Sequence, residues 1–135
     1  MTEKPDSISA QEIYDTVAHH LFSQGRKSAV RSDGMTSCRY RGPHGLKCAV
    51  GCLIRDDEYD PVMEDHGVND LCNRDRLPLR LIPHLSLLLD LQDAHDDSLE
   101  LRATTLRRDF QDIAEAHGLS PDVLTGLKFR RVYQP

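Results

Sequence analysis

Tryptophan is absent from the 135 residues, and aromatics make up only 5% of them. The core must therefore be built mainly from Leu, Val and Ile, without the area that an indole buries. Long apolar runs are also missing. The longest, residues 85–91 (LSLLLDL), is interrupted by Asp90 and falls far short of the roughly 20 residues a helix needs to cross a bilayer. The opening MTEKPDSIS has neither a basic start nor an apolar stretch after it, so the expectation is no export and no membrane partner. That places the protein in the cytoplasm, where its four cysteines are expected as thiols. A Gly-rich phosphate loop, a nucleophile elbow and a dinucleotide fingerprint are all lacking, which removes the enzyme classes those motifs mark. No segment repeats, and none has the composition of a linker.

What remains is 39% hydrophobic and 29% charged, the make-up of one ordinary globular domain over 1–135. The net charge of −5 is unevenly spread. Residues 26–47 carry Arg26, Lys27, Arg31, Arg39, Arg41 and Lys47 against the single acid Asp33. Residues 56–65 carry six acids and no base, and 90–100 carry Asp90, Asp93, Asp96, Asp97 and Glu100 with none. Lys128, Arg130 and Arg131 return the end to positive. The simplest expectation is that a basic segment folds beside an acidic one and each screens the other. Overall acidity argues against nucleic acid as the main partner, because neutralised phosphates supply most non-specific affinity.

Periodicity predicts a mainly α, compact domain of about five or six helices around an irregular central insert. Ser9 and Glu12 form a capping box, after which Ala10, Ile13, Val17 and Leu21 keep helical spacing until Gly25 stops the helix near Gln24. Two turn signals follow, Ser32-Asp33-Gly34 and the stronger Gly42-Pro43-His44-Gly45. The second suggests a short β-hairpin near 38–48, pairing 38–41 with 46–48; a plain loop is the alternative. Residues 48–53 suit a short helix in which Gly51 costs about 1 kcal/mol relative to Ala. Asp60 can cap a turn opened by Pro61, and Val68 and Leu71 imply another short helix. Pro83 suits a first turn before a helix running to about His95. Ser98 is the expected cap of the next, striped by Leu99, Ala103, Leu106, Phe110, Ile113 and His117 and ended by Gly118. Ser120-Pro121 opens a last short one through Val123 and Leu124.

The chemically dense stretch is 38–65. Cys38, Cys48, Cys52 and the later Cys72 are the candidate zinc ligands, since Cys48 and Cys52 lie one helical turn apart and a hairpin would bring Cys38 alongside. The paired Cys-x₂-Cys knuckles of zinc domains are not present, and buried packing thiols are the plain alternative. Convergence of Cys48 and Cys52 into a disulfide is discouraged by helix geometry. Cys48, after Lys47 and at a possible helix start, has features that favour thiolate, with His44, His66 or His95 available as base. His84 and His95 share a helical stripe but stand roughly 16 Å apart along it, too far to share an ion. Asp93, His95, Asp96 and Asp97 lack calcium-loop spacing and read as a solvated helix end. Arg39, Tyr40 and Arg41 interleave an aromatic with guanidinium groups as single-strand binders do.

The run Cys38-Arg39-Tyr40-Arg41-Gly42-Pro43, continued by Gly45-Leu46-Lys47-Cys48-Ala49-Val50-Gly51-Cys52-Leu53-Ile54, resembles a family of small phage and proteobacterial proteins with no established activity. The likeness extends through Tyr59, Met63 and Glu64 to Leu91-Gln92 and His95-Asp96, about half of the chain. It implies a genomic setting, that of accessory proteins acting on a host protein, and it carries over no functional residues.

The leading expectation is a small cytosolic binding protein, phage-derived in setting and anti-defence or regulatory in role, engaging a host or phage protein through 38–65. Its expected contact residues are Arg39, Tyr40, Arg41, His44, Asp57, Glu58 and Tyr59. One alternative is a zinc-stabilised domain binding nucleic acid through 26–47. Another is a thiol-dependent enzyme at Cys48. No cofactor is expected unless zinc binds.

Overall fold

The computed structural model describes residues 7–32, 35–96 and 100–130. Helix α1 (Ala10–Gln24) starts at the expected capping box, with the Glu12 N–H donating to Ser9 Oγ and the Ser9 N–H to Glu12 Oε1. It ends where Gly25 turns left-handed at φ 69° and its N–H reaches the Leu21 carbonyl. A side chain at Gly25 would place Cβ 1.8 Å from the Arg130 carbonyl oxygen, because the C-terminal segment lies across this helix end and the Arg130 N–H bonds to Phe22 O.

Two strands follow, β1 (Ala29–Ser32) and β2 (Met35–Cys38), paired antiparallel from Ala29–Cys38 to Ser32–Met35. A short hairpin is present, but earlier in the chain than the 38–48 expected. Its strands flank the Ser32-Asp33-Gly34 signal, of which residues 33 and 34 lie outside the described residues. Residues 42–46 make a tight turn instead, the Gly42 N–H donating to Leu46 O. No ladder extends from it, because the N–H groups a ladder would need are taken elsewhere: those of Tyr40 and Arg41 by Glu64, that of Lys47 by Gln24.

The remaining helices are α2 (Val68–Asn73), α3 (Leu85–Asp96) and α4 (Ala103–His117). Among the described residues there are thus four α-helices; the short helices expected at 48–53 and after Pro121 are 3-10 turns at Gly51–Leu53 and Asp122–Gly126, and further 3-10 turns lie at Pro43–Gly45, Pro61–Met63 and Leu79–His84. Asp60 caps the Pro61 turn as foreseen, accepting from the Val62 N–H. Pro83 sits in the 3-10 turn that feeds α3. The expected cap Ser98 lies outside the described residues. Helix α4 begins at Ala103, later than the expected start near Leu99, and stops at left-handed Gly118.

Helices α1, α3 and α4 pack on one another through Ile13, Val17 and Leu21, Leu88 and Leu91, and Leu106 and Phe110, all buried. The scarce aromatics are concentrated here. Tyr14 lies 5.4 Å from Phe110 between ring centroids, and Phe22 meets Phe110 and Phe129 edge-on at 6.2 and 6.0 Å. The Tyr14 hydroxyl donates to the Phe110 carbonyl, satisfying the polar end of the ring inside the core. No helix is long and apolar enough to cross a membrane among the described residues.

Much of the central insert belongs to this core. Tyr40, Leu46, Cys48, Ala49, Val50, Leu53, Ile54 and Met63 are buried, while Pro43 to Gly45, Arg55 to Asp57 and Asp60 to Val62 stay at the surface. The expected helix at 48–53 is a compact turn. Its glycine is there for close approach, since a Cβ on Gly51 would stand 2.2 Å from the Tyr40 carbonyl oxygen.

Candidate functional site

The insert is held by one buried carboxylate. Glu64 accepts from the N–H groups of Tyr40 and Arg41 at 3.0 and 3.1 Å and from the Tyr59 hydroxyl at 2.7 Å. Arg41 then clamps the segment 51–56, donating from Nη1 to Gly51 O and from Nη2 to Ile54 O and Asp56 Oδ1, with its guanidinium 5.1 Å over the Tyr59 ring. Tyr40 donates its hydroxyl to His66 O. Arg80, from the turn before α3, forks onto Glu58 and reaches Leu53 O; this pair holds the Glu58 carboxyl below the usual carboxylate range. Burial, with the Glu64 charge beside it, pushes the Tyr59 phenol up to about 12.

Basic and acidic segments therefore do fold beside one another, through Arg41 and Asp56. Of the expected contact residues, Tyr40, Arg41, Glu58 and Tyr59 are committed to these internal bonds. His44 and Asp57 are exposed, and Arg39 is half-buried at the mouth of a cleft.

That cleft holds about 300 Å³. Ser37, Cys38 and Arg39 form one wall, Asp65 to Val68 a second, and Gln92 and Asp96 of α3 a third, with Tyr40 and Cys48 also lining it. Asp96 ties the walls together. It accepts from His95 Nδ1 at 2.6 Å and Gln92 Nε2 at 3.0 Å and from the Cys38 thiol, while Lys27 Nζ donates to its main-chain carbonyl. Burial works to raise the Asp96 carboxyl; the bonds from His95, Cys38 and Gln92 outweigh it and hold it low. His95 is fully buried, and its Nε2 accepts the Ser28 N–H at 3.0 Å. That bond places the ring proton on Nδ1.

All four cysteines are free. Burial pushes Cys38 up to about 11 and Cys48 and Cys52 up to about 12, so these sulfurs are protonated thiols near neutral pH. Cys48 accepts from the Gly51 N–H and Cys52 donates to Ala49 O. A thiolate nucleophile at Cys48 has no support in this setting.

The four cysteines do not converge. Among the described residues, the group of three whose ligand atoms lie within 4.8 Å of one another is Cys38, His95 and Asp96. Its hydrogen bonding is poorly suited to an ion. The nitrogen facing Asp96 carries the imidazole's one proton and the other is engaged by Ser28, so metal binding would require an imidazolate. Catalysis by His95 as a base meets the same obstacle, because the unprotonated nitrogen faces a backbone N–H and not the cleft.

No protein-family model, no curated protein and no solved structure matches the chain. The site thus rests on its geometry. His95 and Asp96 read along the chain, with Asp93 and Asp97, as a solvated helix end, and Gln92 carries no local signal of a site; no pattern within a few residues announces their distant partners.

Proposed function

We propose that the protein is a small binding module that engages another protein through the cleft where the central insert meets the ends of α2 and α3. The observation that carries this reading is the cleft itself. It has a charged wall on either side, Arg39 against Asp65 and Asp96, and its frame is locked by the Glu64, Arg41 and His95 bonds, so binding would order little new chain. Protonated thiols and an imidazole turned away from the cavity favour recognition over chemistry. The cytoplasm, where thiols stay reduced, is the proposed setting. The family resemblance makes a host protein the proposed partner class, with an anti-defence or regulatory role.

Affinity capture from host lysate with mass spectrometry tests this. The double variant Arg39→Ala with Asp65→Asn strips the cleft of one charge of each sign; Asn tolerates the left-handed backbone of residue 65, φ 67°. The native chain should retain a partner that this variant loses, while Asp112→Ala with Glu115→Ala on the exposed side of α4 leaves capture intact. Equal capture by the cleft variant and the native chain refutes the assignment.

A further inference from the structure

We infer that the partner is taken as an extended strand laid along the free edge of β2, with a basic side chain of that strand seated in the cleft; this rests on the binding role proposed above. The argument starts from alternation in the hairpin. The Arg39 N–H donates to Ser28 O at 2.9 Å, so 28–39 and 30–37 are the bonded pairs of the register and 29–38 and 31–36 the non-bonded ones. The backbone N–H and C=O of Thr36 and Cys38 therefore point away from β1. Among the described residues the sheet has two strands, and no main-chain bond reaches these outward groups.

The cleft lies on this side. Successive strand residues send side chains to opposite faces, so a cavity on either face would touch alternate residues. This one touches Ser37 and Cys38, which alternate across β2, and Arg39 just past its end. It lies at the C-terminal end of the strand's outward edge, and with β1 on the other edge, it adjoins the outward side of Cys38. An added strand bonded to Thr36 and Cys38 would run straight into the cavity.

Two further observations point to such an occupant. A two-stranded hairpin is marginal alone and gains from a third strand, and here the strands pack chiefly on each other. Open strand edges are also the standard template for peptide addition, with the backbone supplying affinity and pockets supplying choice of side chain. The ionic lining decides that choice. His66 is bonded to Asp70 at 2.5 Å and Asp96 to His95, Gln92 and Cys38, whereas Asp65 is exposed on the cavity wall. A Lys or Arg side chain complements that carboxylate.

The test begins with a displayed library of random dodecapeptides selected on the full chain. Enriched peptides should carry Lys or Arg within an extended, β-favouring sequence. At saturation the Thr36 and Cys38 amides should exchange at least about tenfold more slowly, the equivalent of one backbone hydrogen bond. Cys38→Pro removes the outward donor while leaving the β1 pairing intact, as proline does on edge strands. It should weaken peptide binding about tenfold or more relative to Cys38→Ala, which loses the thiol bonded to Asp96 as well but keeps the backbone donor. Should Cys38→Pro fail to fold, Thr36→Pro removes the neighbouring outward donor and carries the same expectation. Peptides whose binding falls on Asp65→Asn yet that slow neither amide overturn strand addition and leave the binding role standing. Peptides indifferent to Asp65→Asn, or no enrichment at all, overturn both.

Discussion

Replacing Gly51 by alanine sets two physical effects against each other. If residues 48–53 were a regular helix, the substitution would stabilise the protein by about 1 kcal/mol. In the fold, however, the new Cβ would stand 2.2 Å from Tyr40 O, 2.9 Å from its carbonyl carbon and 3.0 Å from its Cα. All three are backbone atoms, and they cannot easily retreat. The Tyr40 N–H is bonded to Glu64 and its hydroxyl to His66 O, while Gly51 O is bonded to Arg41 Nη1. Overpacking of this kind costs about 1–3 kcal/mol, and loosening one of those bonds adds about 1 kcal/mol. We expect Gly51→Ala to destabilise by about 3 kcal/mol, a loss of roughly two orders of magnitude in the folding constant and about 10 °C in Tm for a chain of this size. Urea unfolding followed by circular dichroism, with calorimetry alongside, measures it. Gly126→Ala is the control, because a Cβ there meets nothing within 4 Å. A Gly51→Ala midpoint at or above the native one would falsify the crossing of residues 40 and 51 and restore the helix.

Three other outcomes follow from the same geometry. Glu64→Gln puts an amide N–H₂ where a carboxylate oxygen accepts from buried N–H groups, and should lower stability by about 2–3 kcal/mol in urea titration; a change under about 0.5 kcal/mol contradicts the role of Glu64. The Asp96 carboxyl is held low in the folded protein. Its contribution is thus complete above the unfolded value of about 3.9 and drains away as pH falls through the lower folded value. Asp96→Asn should accordingly flatten part of the fall in Tm below about pH 4, and an unchanged acid limb speaks against the His95 and Cys38 bonds. Cys48, buried and pushed up to about 12, should react with iodoacetamide at pH 7.5 at least about a hundredfold more slowly in the native protein than in urea; equal rates mean that the thiol is not sealed.

Much of the helical frame was legible because its signals are local. The Ser9–Glu12 box, the left-handed stops at Gly25 and Gly118 and the Asp60 cap before Pro61 each involve residues within one turn of chain. The hairpin was legible as a motif but not in its place. The 42–45 signal is the stronger of the two along the chain, and it loses because Glu64 claims the N–H groups of Tyr40 and Arg41. The candidate site was read only in part: 38–65 supplies part of two walls and the frame of the cleft, yet four of its seven expected contact residues are spent inside the fold.

By itself, then, the order of residues determined a helical domain without a spanning helix, its principal caps, and the density of special residues between α1 and α2. Tertiary structure alone decided which of those residues face outward. Caps and periodicity act over three or four positions, whereas the bonds that shape the cleft join residues 24 apart, as from Tyr40 to Glu64, or 67 apart, as from Ser28 to His95. A polar group's role depends on whether such a distant partner removes it from water. His95 and Asp96 are the clearest instance: a solvated helix end when read along the chain, they become the joint between α3 and the hairpin once the chain is folded.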